Sequence, residues 1–408
     1  MTMMKSIELK PNIYWVGAID WAVRDFHGYI TPNGTTYNNY LILDKEVTLL
    51  DTVKYEFANI GINNIKRLIE PYKIKNIVIN HIENDHMGAL GRMMEIVPYA
   101  ILYTSERGKR DMARFFDTSK WNIEVVKTGD ELNIGEYTLK FIETPMLHWP
   151  DSMMTYVDGA KLLISQDAFG QHFASAARFD DLFIEFNSEA LLEDAMLDYY
   201  ANILMPFGKL IKTKIAEIVK TGWDIDMIAP DHGLVWRKHA NKALQMYQEM
   251  ADGKAQLRVT VIYDTMWHGT EQMTQPLMLG IKDGGVYVKV LKLRSTPLSV
   301  AIKEFWKSRA SLIGSPTLNN GIFPSVAEFI THLKGLRPKH RMVGAFGSYG
   351  WGGGAVPELF KAFRDMKLEV VEPGITINYR PDANDEERCY NFGREFAEKV
   401  KEYHKNFQ

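Results

Sequence analysis

At 408 residues, with 46% hydrophobic and 24% charged residues and a formal net charge of -3, the chain reads as globular and too long for one ordinary core. That charge gives no electrostatic case for nucleic acid or an anionic membrane surface, and there is no run of about 18 apolar residues to span a bilayer. Cys389 is the only cysteine, which excludes an internal disulfide, a zinc ribbon and a cysteine-ligated iron–sulfur cluster. Residues 1–8 show no apolar signal core with a small-residue cleavage site, so the expected location is cytoplasmic.

In chain order, residues 13–17 alternate as a strand, and residues 39–43 and 47–51 flank Asp44-Lys45-Glu46 as a hairpin. The apolar spacing of residues 57–70 (Ile60, Ile62, Ile65, Leu68, Ile69) predicts an amphipathic helix that stops at Pro71. Residues 75–80, with the apolar run Ile77-Val78-Ile79, read as a strand that delivers His81-Ile82-Glu83-Asn84-Asp85-His86, and a helix is expected to start from Met87. Carboxylates gathered in this way repel one another unless their lone pairs meet something positive. A pair of metal ions satisfies them, and oxygen donors mixed with imidazole suit iron, manganese or zinc. A solvated polar loop is the alternative, weakened by the candidates downstream.

Residues 100–104 then read as strand and 106–116 as helix. The alternating strand 137–142 leads to a loop holding His148-Trp149-Pro150. Residues 154–157 and 161–165 bracket Asp158-Gly159, a strong hairpin signal, and Asp167 follows directly. Residues 226–230 run into Asp231-His232-Gly233. Each candidate ligand thus stands at the C-terminal end of a strand, where sites collect in layered α/β folds. His172 and His27 are candidates for lining a substrate pocket and supporting the ligands by hydrogen bonds, or equally for core histidines with one hydrogen bond. His239, His332, His340 and His404 read as surface residues.

Residues 234–251 predict a helix broken by Asp252-Gly253-Lys254, after which residues 257–263 open a new strand. Two domains follow, 1–253 and 254–408. Thr265-Met266-Trp267-His268-Gly269-Thr270, before a helix expected from Gln272, has the hydroxyls and glycine of a phosphate cradle. Two later strands end in Ser315-Pro316-Thr317-Leu318-Asn319-Asn320 and in Ser348-Tyr349-Gly350-Trp351-Gly352-Gly353. Because the three loops follow successive strands of a β/α alternation, they can meet at one edge of a parallel sheet. Trp267, Tyr349 and Trp351 are candidate stacking partners, or aromatics that only pack in loops. There is no G-x-G-x-x-G to support a dinucleotide site.

His81-x-Glu83-x-Asp85-His86 with His148, Asp167 and His232 resembles the metal set of the metallo-β-lactamase superfamily, and more narrowly its flavodiiron branch. The hydrolases of that superfamily carry His where this chain has Glu83, and a carboxylate there favours iron over zinc. The resemblance implies that His81, Glu83 and His148 ligate one iron, that Asp85, His86 and His232 ligate the other, and that Asp167 bridges both. In some relatives the residue matching His86 is displaced from its iron. The three later loops resemble an FMN site, residues 265–270 holding the phosphate and 315–320 and 348–353 flanking the isoalloxazine. His268 before Gly269 departs from the usual flavodoxin loop, which has Gly directly after the third position. The implied fold is α/β, an N-terminal metallo-β-lactamase-like αββα sandwich followed by a flavodoxin-like doubly wound parallel sheet. The implied cofactors are FMN and two Fe ions, and the implied activity is scavenging reduction of NO, O2 or both. The family further implies a head-to-tail homodimer or dimer of dimers, and an external donor, rubredoxin or a reduced deazaflavin. A metallo-β-lactamase-type hydrolase with a fused flavodoxin-like domain is the rival, and an electron carrier with a scaffold domain is the other.

Overall fold

Strand alternation decides which side chain meets which core. In the computed structural model, which describes residues 6–407, most of the N-terminal stretch read for a leader lies outside the described residues. The chain divides into two compact units. One is built from the chain up to Phe26, Thr31–Tyr199 and Phe207–Gln248, the other from His27–Ile30, Tyr200–Pro206 and the chain from Glu249 onward.

The first unit contains two large sheets, besides the small pair Ala18–Asp20 and Thr35–Tyr37. One runs in the order β1 (Ile7–Lys10), β2 (Ile13–Trp15), β3 (Tyr40–Ile42), β4 (Thr48–Leu50), β5 (Asn76–Val78), β6 (Ile101–Thr104), β7 (Asn122–Val125). It is antiparallel from β1 to β4 and parallel from β4 to β7. The other runs β8 (Glu131–Asn133), β9 (Thr138–Glu143), β10 (Met153–Asp158), β11 (Leu162–Gln166), β12 (Met227–Pro230), with only β11 and β12 parallel. Tyr40, Ile42, Leu50 and Val78 pack with Phe141, Val157, Ile164 and Ala229 in a core shared by the two sheets. Their alternates Leu41, Leu49 and Ile77 join a second core with the helices α1 (Ala58–Lys66), α2 (Asn84–Met87), α3 (Leu90–Ile96) and α4 (Glu106–Met112). A shift of one residue in β5 would exchange these faces, so burial on both sides pins the register that aims the following loop.

The second unit is one parallel sheet, β14 (Tyr287–Lys292), β13 (Gln256–Tyr263), β15 (Ser308–Gly314), β16 (Met342–Tyr349), β17 (Glu369–Asn378), written in spatial order. Val259, Val261, Ala310 and Leu312 of its central strands are buried in a core with Met273, Leu277 and Phe396 of the flanking helices. Near-continuous burial of β15 and β16 is what a parallel sheet covered on both faces requires. Among the described residues, no helix is long and apolar enough to cross a membrane.

Several boundaries differ from expectation: the helix expected over 57–70 ends at Lys66, with Pro71–Lys73 a separate turn, and the helix expected over 106–116 ends at Met112. The helix expected over 234–251 starts only at Ala240, as α5 (Ala240–Ala251). Before it, Trp236 bridges Ile228, the Val235 N–H donates to the Arg178 carbonyl, and the Asp180 carboxylate accepts the N–H groups of Arg237, Lys238 and His239. A short apolar run such as Leu234-Val235-Trp236 has no periodicity to separate helix from buried extended chain. The helix expected from Gln272 begins at Gly269, as α6 (Gly269–Asp283). The helix expected after residue 86 already includes Asp85 and His86 in α2. Of the histidines expected at the surface, His239 is half-buried with Nδ1 2.8 Å from the Asp180 carboxylate, and His404 is half-buried beside Arg309.

Candidate functional site

The end of β5 is held before it delivers anything. Asp51, at φ 56°, accepts the Asn80 N–H at 2.7 Å and its side-chain amide at 2.6 Å, and Asn80 Oδ1 accepts the Thr155 hydroxyl at 2.7 Å. The chain then enters α2, whose single turn presents Asp85 and His86 together.

Two groups of ligand atoms result. Glu83 Oε2 lies 3.2 Å from the Nε2 atoms of both His81 and His148, and Asp167 Oδ2 lies 3.5 Å and 3.1 Å from the same two nitrogens. Asp85 Oδ2 lies 3.4 Å from His86 Nε2 and 3.0 Å from His232 Nε2, while Asp167 Oδ1 lies 3.0 Å and 3.4 Å from those. The two oxygens of Asp167 therefore face different groups. The structure brings all seven expected ligands together from four strand ends, with His148 half-buried and the rest buried.

Each imidazole is turned so that Nε2 points inward. His81 Nδ1 lies 3.1 Å from Asp151 Oδ2, His86 Nδ1 3.3 Å from Asp231 Oδ2, and His232 Nδ1 2.7 Å from the Thr36 carbonyl. Such contacts behind a ligand fix its tautomer and orientation. Asp151 also accepts the Ile82 N–H at 2.8 Å, tying the loop of His148 to that of His81.

Burial opposes a charged imidazole at His81, yet the carboxylates of Asp151, Glu83 and Asp167 hold its pKa up to about 10. At His148 burial is likewise overcome by Asp167 and Glu83, which raise it to about 9. Burial pulls the Asp167 carboxyl up, but His86, His148 and His81 hold it well below the usual carboxylate range. Asp231 is pushed well above that range by burial and by Asp51 beside it.

The donor set fits a pair of cations. The buried carboxylate oxygens of Asp85 and Asp167 accept no hydrogen bond, and His81, Glu83, His86 and Asp167, and Asp85, His86 and His232, could each hold a metal ion. Mixed imidazole and carboxylate suits iron.

His172 is buried with Nδ1 2.7 Å from the Thr35 hydroxyl, and its ring centroid is 4.7 Å from that of His232. His27 is exposed at the tip of the hairpin joining Asp25–Phe26 to Tyr29–Ile30 and is counted with the second unit. Phe26 beside it packs on the rings of His172 and His232 at 4.5 Å and 5.6 Å. The sequence reading missed Asp51, Asp151, Asp231, Thr35 and Thr36 behind the ligands. The available signal was position: Asp231 adjoins His232, and Asp51 ends β4 as the ligands end their strands.

In the second unit, β13, β15 and β16 are neighbours, so their C-terminal loops meet at one sheet edge. They surround a cavity of about 620 Å³ lined by Met266, Trp267, Gly269, Pro316, Thr317, Leu318, Asn319, Asn320, Ser348, Tyr349, Gly350, Trp351 and Gly352. Tyr379, which the sequence reading did not select, lines it too. Thr265, Thr270 and Ser315 are buried at its edge, and Thr270 Oγ1 lies 2.8 Å from Ser348 Oγ, joining the first loop to the third. Gly353 lies against the Tyr349 ring. His268, at φ 65°, holds Glu271 with Nδ1 2.6 Å from Oε2 and faces an adjoining groove. The cradle fits a phosphate ester. Thr265 Oγ1 is buried without a hydrogen-bond partner, at the start of a helix whose free N–H groups attract anions. Gly269 lies so close to the Tyr379 carbonyl that a Cβ there would stand 2.3 Å from that oxygen.

Residues 35–233 match the ODP family beta lactamase and residues 261–393 match flavodoxin. A nitric oxide reductase of Moorella thermoacetica is 43% identical over 401 residues, 98% of this chain and 100% of that protein. The rubredoxin oxygen:oxidoreductase of the anaerobe Desulfovibrio gigas has a TM-score of 0.94 at 38% identity, covering 98% of this chain and 99% of that one. The flavodiiron protein of Giardia intestinalis has a TM-score of 0.94 at 33% identity, covering 100% of this chain and 99% of that one.

Proposed function

The chain belongs to the flavodiiron family, and we propose that it is a scavenging reductase that converts NO to N2O, O2 to water, or both. Its cofactors are FMN and a diiron centre. His81, Glu83 and His148 would hold one iron and Asp85, His86 and His232 the other, with Asp167 available to both. The observation behind this assignment is the orientation of Asp167, whose Oδ1 and Oδ2 are each within 3.5 Å of a different pair of imidazoles.

When bound, the reduced iron pair and reduced FMN supply up to four electrons, enough for O2 with four protons to give two waters, or twice over for two NO with two protons to give N2O and water. The protein's own residues set the stage. Asp151, Asp231 and the Thr36 carbonyl keep the imidazoles of His81, His86 and His232 from rotating out of register with the carboxylates. His172, held by Thr35 beside His232, would support the ligands by hydrogen bonding. Thr265, Thr270 and the N-terminus of α6 hold the FMN phosphate, and residues 315–320 and 348–353 hold its ring.

A hydrolase built on the same superfamily would be expected to carry His at position 83 and to need no flavin-binding unit. The nitric oxide reductase relative matches along its whole length, which supports the reductase. This reading divides the chain at 253/254, draws electrons from a rubredoxin or a reduced deazaflavin, and expects a head-to-tail homodimer or a dimer of dimers. The rubredoxin in the name of the D. gigas relative supports the first donor.

Elemental analysis and a visible spectrum of the purified protein test the cofactor assignment. Two irons and one FMN per chain are expected, together with anaerobic NO consumption and O2 consumption driven by reduced rubredoxin. Zinc in place of iron, with iron reconstitution failing, would overturn it.

A further inference from the structure

We infer that Tyr379 is a fourth element of the flavin site, its ring packing against the bound cofactor alongside the three strand-end loops. The inference rests on FMN occupying the cavity of the second unit. Tyr379 follows β17, the strand next to β16 in the sheet, so a fourth strand end reaches the same edge.

Its placement is held from both sides. The Tyr379 N–H donates to the Tyr349 carbonyl at 2.7 Å, and the Asn378 side-chain amide donates to the Tyr349 carbonyl at 3.3 Å. The Tyr379 carbonyl packs on Gly269 of the first loop. Its ring packs on Gly350 of the third, where a Cβ would stand 3.3 Å from the ring Cε1. These two glycines let Tyr379 approach both loops, and a side chain at Gly269 would be excluded by the carbonyl itself.

The backbone conformation that achieves this is unusual. Tyr379 has φ 55°, a region that residues with a Cβ rarely occupy. The ring so presented lines the cavity and is 62% exposed. An aromatic ring held out of the core at the wall of this cavity is placed to pack on a bound planar ligand. Because the ring rests on Gly350 of the loop that flanks the isoalloxazine, its contact is with the flavin rather than with the phosphate.

FMN and riboflavin affinities of deflavinated protein, read by flavin fluorescence, test this with three variants. Tyr379→Ala is expected to weaken both flavins about three- to ten-fold, Tyr379→Phe to bind as the parent does, and Tyr379→Gly, which frees the backbone but removes the ring, to be as weak as Tyr379→Ala. Unchanged affinity in Tyr379→Ala overturns the inference. So does parental affinity in Tyr379→Gly, which would assign the effect to the backbone, or a loss confined to FMN, which would assign it to the phosphate loop. If the parent protein itself takes up neither flavin, the reading of the cavity as an FMN site fails instead. Unchanged iron content and circular dichroism in the variants exclude misfolding as the cause.

Discussion

Replacing Asp167 with asparagine removes the one side chain whose two oxygens face both groups of ligands. Glu83 still faces His81 and His148, and Asp85 still faces His86 and His232, but the one carboxylate shared by both groups loses its charge, so Asp167→Asn is expected to lower iron to below one per chain while FMN stays bound. Elemental analysis beside the flavin spectrum checks it, and full iron occupancy would refute a bridging role. Glu83→His exchanges a hard carboxylate for imidazole, and the variant is expected to take up zinc in preference to iron when offered both. The histidines also make metal uptake pH-dependent. In the metal-free protein the ion pairs of His81 and His148 hold their pKa values up to about 10 and about 9. Both values are raised, so these pairs favour the metal-free fold fully below pH 6.5 and are lost as pH rises through 9 to 10. The metal competes for the same lone pairs. Iron uptake at pH 7 is therefore expected to release protons and to tighten as the pH is raised, measurable with a pH indicator in weakly buffered protein. Uptake without proton release would show that those imidazoles are already neutral.

At the scale of elements, the turn from β13 into α6 is the most constrained junction in the second unit. Gly269→Ala would drive a Cβ to 2.3 Å from the Tyr379 carbonyl, a backbone atom that cannot rotate aside. The expected result is a loss of about 1–3 kcal/mol of stability with weaker FMN binding, seen in denaturant unfolding and flavin titration. Unchanged values in both would mean that β17 yields more easily than its pairing with β16 implies. The elements also show where local pattern was sufficient. The hairpin of β3 and β4 and that of β10 and β11 follow from alternation and from turn residues, because both signals lie within a few positions of each other. The start of α5 did not follow, because Trp236 is claimed by Ile228 and Val235 by Arg178, which is distant in sequence.

For the molecule as a whole, cofactor binding is stability. A ligand that binds only the folded state adds about 2.7 kcal/mol when present at one hundred times its Kd. Deflavinated protein is therefore expected to unfold at a lower temperature and to recover on adding FMN, with riboflavin recovering less because Thr265 and the α6 N-terminus would lack their phosphate. Calorimetry checks this, and an equal shift with riboflavin would take the phosphate out of the binding account.

What the sequence determined by itself is everything that lies within a turn or a strand of its neighbours. The spacing His81-x-Glu83-x-Asp85-His86 after an apolar run, the hydroxyl and glycine loops after later strands, and the order of two α/β units were legible because covalent geometry alone makes such residues adjacent. Tertiary structure decided the rest. It decided that Asp151, 70 residues from His81, turns that imidazole inward, that the Thr36 carbonyl does the same for His232 across 196 residues, and that Tyr379 lines the cavity of the second unit. Such contacts depend on strand order and register, which are set by burying both faces of every sheet at once, a condition no local stretch of sequence contains.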